Sequence, residues 1–263
     1  MMIGWVLAIF IGLSLGLLGG GGSILTVPIL VYAFNIDPKT SIALSLAIVG
    51  ITSLIGTITH FRAGNVELKT VAVFAPLAMI GTFTGAKLSV FFSGEAQLVL
   101  FGIIMLMASV FMLKESKYSK AKEKANPLFL GFQGFIVGIF TGIIGIGGGF
   151  LIVPALVILA QVPMKQAVGT SLFVIFLNSI SGFIGYLGMV TIDWFFLGKF
   201  ILATGFGIIL GTYLVKYIPP AKLKKIFAIF LIFMGIFILY KNRHTLGIKS
   251  AAIVLEKPIL SFY

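Results

Sequence analysis

The sequence predicts an all-α polytopic membrane protein of two inverted-topology repeats, each a broken or re-entrant helix hairpin plus three transmembrane helices. Three observations predict this. The first is composition: 59% of the 263 residues are hydrophobic and 10% are charged, where a soluble domain carries about 25% charged residues. The mean hydropathy of +1.18 agrees. The second is a glycine-rich break in an apolar run that occurs twice. Residues 16–28 read G-L-L-G-G-G-G-S-I-L-T-V-P, and residues 142–154 read G-I-I-G-I-G-G-G-F-L-I-V-P. The third is where the bases fall, which decides how the two copies are oriented.

The elements follow in order. Apolar runs occupy about 3–18, 23–34, 41–60, 70–92 and 96–113. A lysine-rich linker follows, and five more runs lie at about 128–144, 149–160, 166–187, 194–215 and 222–240. The second set repeats the first at a shift of 126 residues: Pro28 matches Pro154, Ser45 matches Ser171, Ser53 matches Ser179, Gly81 and Gly85 match Gly207 and Gly211. Self-similarity over this length is internal duplication. The expected divisions are 1–113 for the first repeat, 114–127 for a cytoplasmic linker, 128–241 for the second repeat and 242–263 for a tail outside the duplication. The N-terminal run has no basic leader and reads as a retained first helix.

A spanning helix needs about 20 apolar residues, and the runs either side of each break are shorter. They form either one broken span, giving parallel repeats, or a hairpin that turns back, giving inverted ones. With Lys114, Lys117, Lys120, Lys122 and Lys124 in the cytoplasm, the hairpin also puts Arg62, Lys69, Lys165, Lys216, Lys222, Lys224 and Lys225 there. The broken span moves five of these outside: Lys165, Lys216, Lys222, Lys224 and Lys225. Because bases collect on the cytoplasmic side, the hairpin is expected. The net charge of +12 then belongs to loops facing anionic lipid and is not a nucleic-acid signature. The expected location is the cell membrane, multi-pass.

Little enzyme chemistry is available. The chain has no cysteine, and its two histidines, His60 and His244, are not near acids in the apolar runs. No metal centre, cofactor or catalytic group is expected. A phosphate-binding G-x-x-x-x-G-K-[ST] is also absent.

The break itself is the candidate site. Glycine gives up the most backbone freedom in a helix, and a break at membrane depth survives only where protein or a water-filled cavity covers it. Each restarted helix offers unpaired N–H groups and roughly half a positive charge, so two converging starts could bind an anion. The candidates are Gly19, Gly20, Gly21, Gly22 and Ser23 in one copy, and Gly145, Gly147, Gly148 and Gly149 in the other. Ser45 and Thr52, and Ser171 and Asn178, share helix faces at a spacing of seven and could donate hydrogen bonds to an oxyanion. The plainer readings are close helix packing for the glycines and ordinary interhelical bonds for the hydroxyls. His60 could relay a proton, though an interfacial histidine is the plainer reading, since Tyr186 stands at the matching position. Lys39 and Lys165 could draw anions toward the two ends. Gly81/Gly85 and Gly207/Gly211 could pack within the chain or join two chains as a homodimer.

The repeated G-x-x-G-x-G-G break with its following V-P, the K-x-A-x-G-T-S-L at 165–172 and the H-F-R-A-G-N-V-E at 60–67 resemble the sulfite exporter TauE/SafE family of membrane permeases over residues 1–240. The resemblance implies secondary transport of small sulfur-containing anions, sulfite or organosulfonates, across the cytoplasmic membrane, usually as export. Two departures matter: Gly20 is matched by Ile146 and Ser23 by Gly149, and the S-I-A-L-S-L at 41–46 is less like the family pattern than the A-V-G-T-S-L at 167–172. An anion channel and a non-transporting accessory subunit remain the alternatives.

Overall fold

The computed structural model describes residues 2–113, 127–145 and 149–244. The expected linker, the end of the tail, Gly147 and Gly148 lie outside the described residues.

The first half contains α1 (Met2–Leu18), α2 (Gly21–Tyr32), α3 (Pro38–Arg62), α4 (Leu68–Leu88) and α5 (Gly94–Leu113). The second contains α6 (Pro127–Ile144), α7 (Gly149–Pro154), α8 (Met164–Tyr186), α9 (Trp194–Leu214) and α10 (Pro220–Lys241). Among the described residues six helices are long and apolar enough to cross a membrane, three from each half. The four shorter ones flank the two breaks. This is a nearly all-helical, multi-pass membrane protein.

Local sequence explains the ends. Pro38 opens α3, and the Asp37 carboxylate caps it by accepting from the N–H groups of Lys39 (3.0 Å) and Thr40 (3.2 Å), satisfying donors the helix cannot. Asp193 does the same for α9. Pro28 and Pro154 lie inside helices, where each removes an N–H from the ladder. After Pro154 the chain widens to a π turn over Ala155–Leu159.

At the first break the chain reverses. α2 runs back along α1, with Gly22 against Ile11 and Leu15 and Phe34 against Gly4. The hairpin expected from charge placement is therefore the local geometry.

Contacts between the halves follow the 126-residue shift. Gly207 and Gly211 leave no room for a side chain against the Ile9 and Leu13 carbonyls, so α9 runs parallel to α1. Gly81 and Gly85 meet the Phe135 and Ile139 carbonyls in the same way, so α4 runs parallel to α6. These small-residue faces, which permit close approach in lipid, are used within the chain. The matched helices α3 and α8 cross antiparallel, with Leu46 at Gly182, Gly50 at Ser179 and Gly56 at Leu172. The matched pair α5 and α10 also packs antiparallel, with Gly102 at Leu239 and Gly235 at Leu106.

Candidate functional site

Each break begins with a glycine in the left-handed region. Gly19 has φ +67° and Gly145 has φ +70°, a conformation that ends a helix at little cost for glycine alone. Each closes its helix through the same bond: the Gly19 N–H donates to Leu15 O and the Gly145 N–H to Thr141 O, both at 2.8 Å. The carbonyls of these two glycines then need donors, because a helix end leaves its last acceptors unpaired. The opposite half supplies them. Ser171 Oγ lies 2.9 Å from Gly19 O and 2.8 Å from Val168 O, and Ser45 Oγ lies 3.0 Å from Gly145 O and 2.8 Å from Ile42 O, so each hydroxyl shares its one proton between its own helix and the opposite break. Both serines are fully buried. The pair forms a crossed clamp between the halves.

The breaks also touch. A methyl on Gly20 would overlap the Gly149 carbonyl, and one on Gly149 would lie 2.8 Å from Gly20 Cα and 3.0 Å from Ser23 Oγ. Ser23 donates to Gly20 O at 2.6 Å. Gly21 and Gly22 are already in the first turn of α2 and face α1, where Ser14, Leu15 and Leu18 leave no space for a side chain. Of the four consecutive glycines, two make the break and two make the return leg fit.

The second predicted pair behaves differently from the clamp serines. Thr52 donates to Ile48 O at 2.6 Å, and its oxygen lies 2.9 Å from Thr204 Oγ1. At the matching position, Asn178 is fully buried and neither its amide nitrogen nor its oxygen has a partner. Ser179 next to it in α8, and Ser53 on α3, are also buried and unpartnered. Gly50 leaves its space to Ser179, so this polar group lies where α3 and α8 cross. Unpaired buried polar atoms are costly in protein interiors, more so where no water reaches them.

His60 is 2% exposed and packs against Gly169, and neither ring nitrogen has a hydrogen bond of good geometry. It lies at the α3 C-terminus. Its match, Tyr186, sits beneath the second break: its hydroxyl is 3.3 Å from the carbonyl oxygens of Gly142 and Ile143 and receives a bond from Gln97 Nε2 at 3.0 Å. Gln97 also donates to Ile143 O. Sequence reasoning passed over Gln97 and gave Tyr186 no role. The available signal was a lone amide in the apolar run from 96 to 113.

A recess of about 200 Å³ is lined by Lys39, Ser89, Val90, Tyr186, Met189 and Val190. Tyr186 lines it and also lies beside Gly145, so this one side chain stands between the recess and the second break. Lys39, singled out for its charge, stands on its wall. At the other end Lys165 Nζ donates to Lys216 O at 3.3 Å. Among the described residues no group of three His, Cys, Asp or Glu could hold a metal.

Six membrane-length helices around two facing helix breaks define a polytopic membrane transporter. The chain belongs to the sulfite exporter TauE/SafE family, whose pattern matches residues 5–238. It is 31% identical over 242 residues to a probable membrane transporter protein of Xylella fastidiosa, covering 88% of this chain and 92% of that one. A probable membrane transporter protein of Bacillus subtilis is 30% identical over 233 residues, 86% of this chain and 94% of the relative. One from Methanocaldococcus jannaschii is 40% identical over 135 residues, about half of each chain. No solved structure matches.

Proposed function

We propose that the protein is a secondary transporter that exports small sulfur-containing anions, sulfite or organosulfonates, and binds them between the two glycine breaks. The observation that carries this reading is the direct apposition of Gly20 and Gly149. It joins the start of α2 to the start of α7, so N–H groups and helix dipoles from both halves converge on one place. No buried lysine is needed to hold the charge.

The contact is tight, so the anion enters only when the halves part. Gly20, Ser23 and Gly149, with Gly147 and Gly148 expected beside them, then present backbone donors to its oxygens, while Gly19 and Gly145, whose N–H groups close α1 and α6, set the turns. Asn178, one turn beyond the Ile175 that touches Gly149, supplies an amide with no other partner. Ser45, Ser171 and Thr52 hold the frame that these groups stand on. The recess at Lys39 brings the anion as far as Tyr186, which must move to admit it to the second break, and Lys165 and Lys216 attract it at the other end.

The antiparallel packing of matched helices supports an inverted arrangement of the repeats across the membrane, with the linker in the cytoplasm. In that arrangement one break is reached from each side, and rocking of one half against the other alternates access. His60, a buried imidazole against α8, is the candidate for coupling transport to protons.

The test is efflux from proteoliposomes loaded with sulfite, taurine, sulfoacetate, sulfate or acetate. Saturable efflux of sulfite or a sulfonate, at carrier rates and competed by other members of that class, is expected. Unsaturable conduction would point to a channel, and no flux of any anion would overturn the reading. Equal rates with pH gradients imposed in either direction would reject proton coupling.

A further inference from the structure

The two halves differ on their outer surface as well as at the breaks. In the first half an apolar groove of about 220 Å³ lies between the α1–α2 hairpin and α10; its wall includes Ser14, Leu18, Ile218, Leu223, Ile226 and Phe230. The groove borders the first break, since Ser14 and Leu18 pack on Gly21. The matching surface of the second half carries bulkier or tied residues. Phe140 stands where Ser14 leaves room, and Phe92 where Ile218 does. Gln97 stands in place of Leu223 and ties α5 to Ile143 and Tyr186. At Ser14, Ile218 and Leu223 the lining of this groove is not repeated in the second half.

The start of α10 beside the groove is strongly basic. Lys222 is exposed and lies one helical turn before Ile226, in the i, i+4 row that Phe230 continues, so it flanks the apolar slot. Lys225 is its exposed neighbour on α10, and Lys216 lies just before the α9–α10 turn. No acid stands between Asp193 and Glu256. A narrow apolar slot flanked by clustered lysines matches one chain and the headgroup of an anionic phospholipid, and a zwitterionic lipid gains less from it.

We propose that this groove is a binding site for an anionic phospholipid, with one acyl chain along α10 and the phosphate at Lys222 and Lys225. Because the acyl chain lies against Ser14 and Leu18, a bound lipid braces the hairpin that ends at the first break. The proposal concerns the outer face of α1, α2 and α10 and stands whatever anion the protein carries.

The experiment is native mass spectrometry of the purified full chain with defined phosphatidylglycerol and phosphatidylcholine. Retention of phosphatidylglycerol over phosphatidylcholine is expected, with about fivefold lost for each lysine removed. Lys222→Gln with Lys225→Gln should bring the two lipids toward parity. Ile226→Trp fills the slot from a residue that is 48% exposed and should reduce retention of both. Equal retention of the two lipids by the unchanged chain overturns the proposal. So does unchanged retention in both variants. A failure of anion transport alongside normal lipid selectivity would leave this site standing and count only against the transport reading.

Discussion

The breaks at Gly19 and Gly145 share a backbone and differ in what surrounds it. Their φ angles differ by a few degrees, their helix-closing bonds have the same length, and each glycine carbonyl is held by a serine of the opposite half. Even the turns that follow match, with Asn35 at φ 54° and Gln161 at φ 55°. Around this frame the residues diverge: His60 against Tyr186, Thr52 against Asn178, Ser23 against Gly149, Leu223 against Gln97. The difference separates two jobs. Positions that repeat hold the halves together, and in the proposed anion site positions that do not repeat would give the ligand two unlike sides.

The largest effect should come from an unrepeated position. Asn178→Leu keeps the side chain's approximate volume and removes two unpaired polar groups. Transport should fall by more than about tenfold, corresponding to loss of a ligand hydrogen bond of at least 1.4 kcal/mol. Stability should be unchanged or higher, because an unsatisfied buried amide is itself a cost. A fall in thermal stability with normal transport would make Asn178 part of the frame and erase the distinction.

Next comes the contact between the breaks. Gly20→Ala places a methyl against the Gly149 backbone, which has no flexible end to yield. Thermal unfolding in detergent should show a loss of about 1–3 kcal/mol, the usual cost of overpacking. An unchanged melting temperature would mean that the breaks do not meet as described.

The repeated serines should show smaller, paired effects. Ser45→Ala and Ser171→Ala should each cost about 0.6 kcal/mol, a typical interhelical hydrogen bond in a membrane protein, and the two costs should be alike. Unequal costs would break the symmetry claimed for the frame.

The smallest change in amount of transport is expected for His60→Tyr, which gives the first half the residue that the second half has. Transport should persist, and any coupling to an imposed proton gradient should disappear with the imidazole. Persistence of the coupling would assign it elsewhere.

Much of this was legible in the sequence. The apolar runs set the helices, and the duplication set which helices correspond. Lysine placement selected the hairpin, because a base is expensive on the wrong side of a membrane. The site was less legible. Ser45 and Ser171 read as ligand donors because a polar residue on an apolar face looks the same whether it faces a ligand or a carbonyl. Only the fold shows that each serine lies at the helix end of the other half. Gly21 and Gly22 read as part of the break because glycine is a poor helix former, yet the demand for close packing against α1 outweighs propensity there. Gln97 was hidden for the opposite reason, since its match is Leu223 and comparison of the halves drew attention to what repeats.

The central claim is that an anion binds where the two breaks meet, with Asn178 as one of its donors. The most direct test is calorimetric titration of sulfite into the purified protein and into its Asn178→Leu variant. Saturable binding to the unchanged chain, weakened at least about tenfold in the variant, is predicted. Equal binding by both, or none by the unchanged chain to sulfite, taurine or sulfoacetate, would contradict it.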